Sequence, residues 1–319
     1  MKGEKMNVGI GKLIKRAGTL LVLLTILTAC GTQKKVYLYS SFHEPADAGL
    51  RLIYSHDGYH WEDLDTVLLK PEVGTQKVMR DPSIAQGPDG TFHLVWTSSW
   101  KNDLGFGHAS SKDLIHWSEQ QHIEVMAYDT TARNVWAPEI FYDETMGKFV
   151  IIWASCVPYK FDKGIEDEFN NHRLYYTTTT DFKEFSKATL LFDPGFSSID
   201  ATLVKRGPED FVLVFKDNTR NERDIKVAFG KSAIGPFGNQ SKTFSHMYTE
   251  GPSVAKVSDG WVIYTDAYRD KRFAAYHTKD FKTFEDVSNQ VSIPTGHKHG
   301  TIFMVNEKIL KKLKKEFNK

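Results

Sequence analysis

Two cysteines in 319 residues leave no room for a disulfide framework or a cysteine-rich zinc site. Neither sign of charge dominates: 41 Lys and Arg face 40 Asp and Glu. The chain therefore lacks the basic footprint of a nucleic-acid binder. No apolar run is long enough to span a membrane; the longest, at residues 17–29, falls well short of the roughly 20 residues a spanning helix needs. Disorder is excluded as well, because 40% of the residues are hydrophobic and only 25% charged, an ordinary globular balance. Aromatic residues are abundant at 13%, which favours strands or a surface that stacks on ligands.

The short apolar run has a context of its own. Lys2, Lys5, Lys12, Lys15 and Arg16 precede it, and it ends in Leu27-Thr28-Ala29-Cys30. This layout reads as a secretory signal over residues 1–29. Its end resembles the bacterial lipobox, which implies that Cys30 carries lipid and becomes the first mature residue. Residues 30–35 then form a short tether. Each buried methylene of an acyl chain contributes roughly 0.8 kcal/mol to membrane attachment. The expected location is the bacterial cell envelope, at the outer membrane, facing periplasm or surface. The other cysteine, Cys156, closes the apolar run 149–156 and reads as a small buried hydrophobe.

Internal repeats decide the fold. A strand, a Ser/Thr or small residue, a turn and a closing aromatic recur five times, ending at Trp61, Trp117, Phe185, Phe237 and Phe284. A second pattern precedes them: Asp81-Pro82-Ser83-Ile84, Ala137-Pro138-Glu139-Ile140, Asp200-Ala201-Thr202-Leu203, Gly251-Pro252-Ser253-Val254 and His299-Gly300-Thr301-Ile302. The last copy breaks off near the C-terminus, while Val36 to Phe42 read as a second strand with no first. The pattern predicts an all-β fold, a five-bladed β-propeller over residues 36–306. Its C-terminal strand pairs with the N-terminal blade, leaving few free sheet edges. Residues 307–319 form a basic amphipathic tail, either a solvated helix or a contact with the membrane beside the lipid.

In such a ring the first strand of each blade lines a central channel, and its start lies at the channel mouth. The aligned column there reads Asp81, Ala137, Asp200, Gly251 and His299; Glu139 follows Ala137 by two and Glu250 precedes Gly251. Four carboxylates crowded at one mouth with a histidine raise each other's pKa, a poor arrangement for stability alone, so they point to chemistry. Converging carboxylates serve glycoside hydrolysis or a hard cation. Trp100, Trp136 and Phe42 sit beside the mouth segments and suit the apolar faces of sugar rings. The segment from Phe42 to Pro45 and the charged insertion 160–172 are loops at the same mouth. They shape a pocket for terminal sugars; the insertion's own charges read as solvated.

The motifs Arg80-Asp81-Pro82-Ser83, Trp136-Ala137-Pro138-Glu139, Ser198-Ile199-Asp200-Ala201, Glu250-Gly251-Pro252 and His299-Gly300-Thr301, in this order and one per blade, resemble glycoside hydrolase family 43. The resemblance implies an inverting glycosidase that needs no organic cofactor. It implies Asp81 as general base, Glu250 as general acid, and Asp200 as the residue that orients the acid and raises its pKa. Arg80 would keep Asp81 charged. Glu139, where many relatives have Asp, and His299 would contact sugar, and in some relatives the histidine helps hold a calcium ion in the channel. An oligo- or polysaccharide is the implied substrate, with terminal α-L-arabinofuranose on plant-type side chains first. A β-xylosidase or exo-β-galactosidase is the alternative, as is a retaining relative. A non-catalytic, glycan-binding propeller lipoprotein is the alternative outside enzymes.

Overall fold

The computed structural model describes residues 34–317; the signal segment, Cys30 and the first residues of the tether lie outside them. The described chain forms five four-stranded antiparallel sheets. The sheet closest to the N-terminus holds β1 (Lys35–Ser41), β2 (Arg51–Ser55) and β3 (Glu62–Asp63). The next holds β4 (Arg80–Gln86), β5 (Phe92–Thr97), β6 (Gly105–Ser111) and β7 (Gln121–Glu124). The third holds β8 (Trp136–Asp143), β9 (Lys148–Cys156), β10 (His172–Thr179) and β11 (Thr189–Phe192). The fourth holds β12 (Ser198–Gly207), β13 (Asp210–Asp217), β14 (Asp224–Gly230) and β15 (Phe237–Gly238). The last holds β16 (Glu250–Val257), β17 (Gly260–Ala267), β18 (Arg272–Thr278) and β19 (Glu285–Asp286). The final strand, β20 (Ile302–Asn306), returns to pair with β1, Val36 facing Val305. The inner strands touch in the cyclic order β4, β8, β12, β16, β20 and β4 again, which is the five-bladed propeller.

Sequence explains both the strands and their turns. Each second strand is covered on both faces by neighbouring blades, so it reads as a continuous apolar run rather than an alternation; Phe149 to Trp153 and Phe211 to Phe215 are all buried. The first repeat is a turn between third and fourth strands. In blade two the Ser111 hydroxyl accepts from Leu114 N at 2.8 Å, and Asp113 Oδ1 accepts from Ile115 N and His116 N at 2.9 Å. Thr179 with Asp181 and Thr278 with Asp280 repeat this geometry. Side-chain oxygens that bond the backbone two and three residues on are the reason Ser, Thr and Asp build such turns.

The C-terminal tail forms α1 (Glu307–Phe317). Its Leu310 and Leu313 are buried in the cluster that holds Val36, Leu38 and Leu52. This corrects the picture of a helix either solvated or lying on a membrane. Its apolar stripe is already covered by the propeller's own core, and the exposed side carries Lys308, Lys311, Lys312 and Lys315.

Candidate active site

Four inner strands carry the same irregularity at the same place. Between Arg80 and Ser83, Trp136 and Glu139, Ile199 and Thr202, and Glu250 and Ser253, three inner residues oppose two on the second strand. The residue that opens each bulge has a positive φ: Asp81 50°, Ala137 46°, Asp200 50°, Gly251 54°. Such bulges re-aim a side chain and occur beside active sites. Asp tolerates this left-handed backbone better than most residues, and Gly251 is required for another reason. A Cβ there would overlap the ring of His299.

The bulges bring Asp81, Asp200 and His299 around a pit of about 30 Å³, the room of one water molecule. Glu250 stands on its rim, with one oxygen within 4.8 Å of ligand atoms of both Asp266 and His299. His299 Nε2 pairs with Asp81 Oδ1 at 2.8 Å, and Nδ1 faces Asp266 Oδ2 at 3.5 Å. Burial opposes a charge on His299, yet Asp266 and Asp81 overcome it and hold the ring protonated well above its ordinary range. Burial likewise works against the Asp81 carboxylate, but His299, Arg80 and the Thr97 hydroxyl at 2.8 Å keep it below the usual range. Asp200 goes the other way. Burial pushes it up to about 6; Glu250 and Asp81 add to this, and His299 and Lys216 only partly offset it. Its Oδ2 accepts from Gly251 N at 3.1 Å. Two acids at one mouth thus have distinct environments, Asp81 held ionised and Asp200 keeping its proton up to about pH 6, the pattern by which acid and base roles separate.

Residues 33–310 match the family model of a probable glycosyl hydrolase domain related to family 43. The chain belongs to that family. A curated relative is an α-L-arabinofuranosidase of Bifidobacterium longum, 24% identical over 212 residues; the match takes in 59% of this chain and 19% of that protein. The chain therefore spans about a fifth of the relative's length. Among solved structures, a thermostable family-43 glycoside hydrolase superposes with a TM-score of 0.53 at 15% identity, over 69% of this chain and 78% of that one. An exo-β-1,3-galactanase from Phanerochaete chrysosporium reaches 0.52 at 13% identity, over 72% and 53%.

Within this glycosyl hydrolase the other sites expected from sequence need correction. Phe42 is fully buried; it packs edge-on against His299 and under Arg80, so no sugar reaches it. Trp136 stacks on Trp100 at 4.9 Å and on His172 at 4.8 Å, while Arg80 stands 4.6 Å over Trp100. Trp136 thus spends its ring on protein neighbours, whereas Trp100 remains 44% exposed. Glu139 lines the same pit as Asp81 and Asp200, but its carboxylate is already engaged. It lies 9% exposed in the channel, accepting from Ser83 at 2.7 Å, Thr202 at 2.5 Å and Thr301 at 2.6 Å, and burial raises its pKa. It ties four blades together. The signal was in the alignment, since the column two residues past the mouth reads Ser83, Glu139, Thr202, Ser253 and Thr301.

Two functional neighbours were missed. Lys216 Nζ bonds Glu250 Oε2 at 2.8 Å. Burial opposes its charge, but Glu250 and Asp200 hold it above its ordinary range. Asp266 faces His299 and pairs with Lys298 at 3.0 Å. Both stand at the mouth end of a second strand, Lys216 opposite Ile199 and Asp266 opposite Glu250, so an ionisable residue closing an apolar run was the available sign. Asp200 is itself raised by burial and by Glu250, and Glu250 has Lys216 as its partner.

The channel donors do not fit the calcium ion implied by the resemblance. A hard cation takes roughly six to eight oxygen ligands. The oxygens of Glu139 already accept from hydroxyls, and His299 presents protons to Asp81 and Asp266. The insertion is less free than its charges suggest: Glu166 is 2% exposed and accepts from Asn170 and from Arg220 N.

Proposed function

We propose that this glycosyl hydrolase removes terminal α-L-arabinofuranosyl residues with inversion of configuration. The observation that carries the reading is the contrast among the three mouth acids. Asp81 is held ionised, Asp200 retains a proton to about pH 6, and Glu250 stands beside both with Oε2 fixed by Lys216. Asp81 takes a proton from a water in the pit as that water's oxygen bonds to the anomeric carbon. The glycosidic C–O bond breaks on the opposite side, and Glu250, which must enter the step protonated, gives that proton to the leaving oxygen. Inverting enzymes need this water between base and sugar, and a water-sized pit beside Asp81 supports that requirement. Beyond it, a cleft of about 860 Å³ lined by Glu44, Asp266, Tyr268 and Lys298 adjoins the mouth and is large enough for sugar. The arabinose preference rests on the Bifidobacterium relative.

The test is a screen of nitrophenyl α-L-arabinofuranoside, β-D-xyloside and β-D-galactoside, with the first released anomer followed by proton NMR. Arabinofuranoside is expected to be cleaved fastest, giving the β-anomer. A faster xyloside or galactoside overturns the sugar, retention overturns the mechanism, and no turnover with intact glycan binding leaves a lectin-like protein.

We also propose attachment to a membrane through lipid on Cys30, on the strength of the sequence before it. Mass spectrometry of the mature N-terminus is expected to find a diacylglyceryl cysteine. A free amine on another residue removes the anchor.

A further inference from the structure

Trp136 has its ring taken up by Trp100 and His172, whereas two rings in a neighbouring loop are mostly exposed. Tyr159 is 77% exposed and Phe169 57%, both in the loop between β9 and β10. Their centroids lie 6.4 Å apart with the planes at 80°, so they form an open aromatic corner. The loop holding them is built, not slack. The Cys156 thiol donates to Glu168 O at 3.1 Å, Tyr159 N donates to Glu168 Oε2 at 2.9 Å, and Asn171 Nδ2 donates to Phe161 O at 3.0 Å. Across the next blade, Arg220 pairs with Asp167 at 2.9 Å. Tyr159 itself has a φ of 64°, a conformation a bulky residue adopts only where surrounding structure imposes it.

The corner is continuous with the candidate active site. The Arg133 guanidinium stands 4.7 Å over the Phe169 ring, three residues before Trp136. The loop runs into β10 at His172, whose ring lies on Trp136. A glycan whose terminal residue occupies the mouth can leave over this rim. Two rings side by side on the rim offer their faces to a ligand, and flat rings match the C–H faces of sugars. We propose that Tyr159 and Phe169 form a second carbohydrate subsite, which holds the polysaccharide chain bearing the cleaved sugar. This inference rests on the glycosidase reading above and deepens it.

The test compares branched arabinan with nitrophenyl arabinofuranoside for the wild-type chain and the Tyr159→Ala/Phe169→Ala variant. The KM for arabinan is expected to rise roughly tenfold more than that for the small substrate, the scale of losing aromatic contacts. Tyr159→Phe keeps the ring and is expected to keep the wild-type KM. Equal shifts for both substrates, or no shift, overturn the subsite. Should the wild-type chain cleave no glycoside, the glycosidase reading fails separately, and affinity electrophoresis in arabinan gels reads the surface alone. Retardation of the wild type that is lost in the double variant upholds the subsite; equal mobility of the two overturns it.

Discussion

Asp81→Asn is expected to abolish turnover of every glycoside, whereas Glu250→Gln is expected to do so only where the leaving group needs a proton. The asymmetry follows from what each acid touches. Asp81 faces the pit, ionised by His299 and Thr97, and its task is to deprotonate water, which is the same task for any substrate. Glu250 serves the departing oxygen, and a dinitrophenolate departs without help. General acid or base catalysis contributes about 10²- to 10⁴-fold. A loss of that size is expected for Asp81→Asn on both an arabino-oligosaccharide and a dinitrophenyl arabinofuranoside. For Glu250→Gln it is expected on the oligosaccharide and largely absent on the activated substrate. Equal losses for Glu250→Gln on both substrates would sink its role as proton donor. A leaving-group-dependent loss for Asp81→Asn would exchange the two roles. Because Asp81 is half of a buried ion pair, its variant also needs a thermal melt: breaking such a pair costs up to about 3–5 kcal/mol, here reduced because His299 keeps Asp266.

The blades were legible because they repeat. Strand, turn and bulge each leave a residue-level mark: apolar runs for the doubly covered second strands, Ser/Thr and Asp for the outer turns, Asp-Pro or Gly-Pro at the mouth. A column of aligned positions then placed Asp81, Asp200, Glu250 and His299 together before any coordinates. What stayed hidden is what a column does not hold. Side-chain occupancy is tertiary, so nothing in the sequence told Trp136, stacked between Trp100 and His172, from the more exposed Trp100. Phe42 follows the same logic, since its position beside the mouth was right and its burial under Arg80 was not visible. Lys216 and Asp266 come from second strands, one register step outside the column that was read. The charge balance changed with them: Lys216 neutralises the proposed acid, and Asp266 makes His299 an imidazolium instead of a neutral ligand.

That balance predicts a protein stabilised by losing an acid it needs. Asp200 holds its proton to about pH 6 when folded, against about 3.9 for an unfolded aspartate. The folded state thus binds the proton more tightly than the unfolded state. Its contribution to stability is complete below about pH 4 and is lost as pH rises through 6. The side chain that Asp200→Asn introduces has no charge to bury. Its amide oxygen can still accept from Gly251 N, as Asp200 Oδ2 does at 3.1 Å. Relative to the wild type, the variant is therefore expected to gain about 2 kcal/mol between pH 4 and pH 7.5, read from urea unfolding at both values. The gain has its counterpart in activity. Asp200 lies among Glu250, Asp81, His299 and Lys216, and removing its charge shifts the field that both proposed catalytic acids feel. A loss of about 10²-fold or more in kcat is expected. A stability difference that does not change with pH would place the proton elsewhere in the cluster. An Asp200→Asn enzyme with full turnover would mean that the third acid of the mouth serves the fold rather than the reaction.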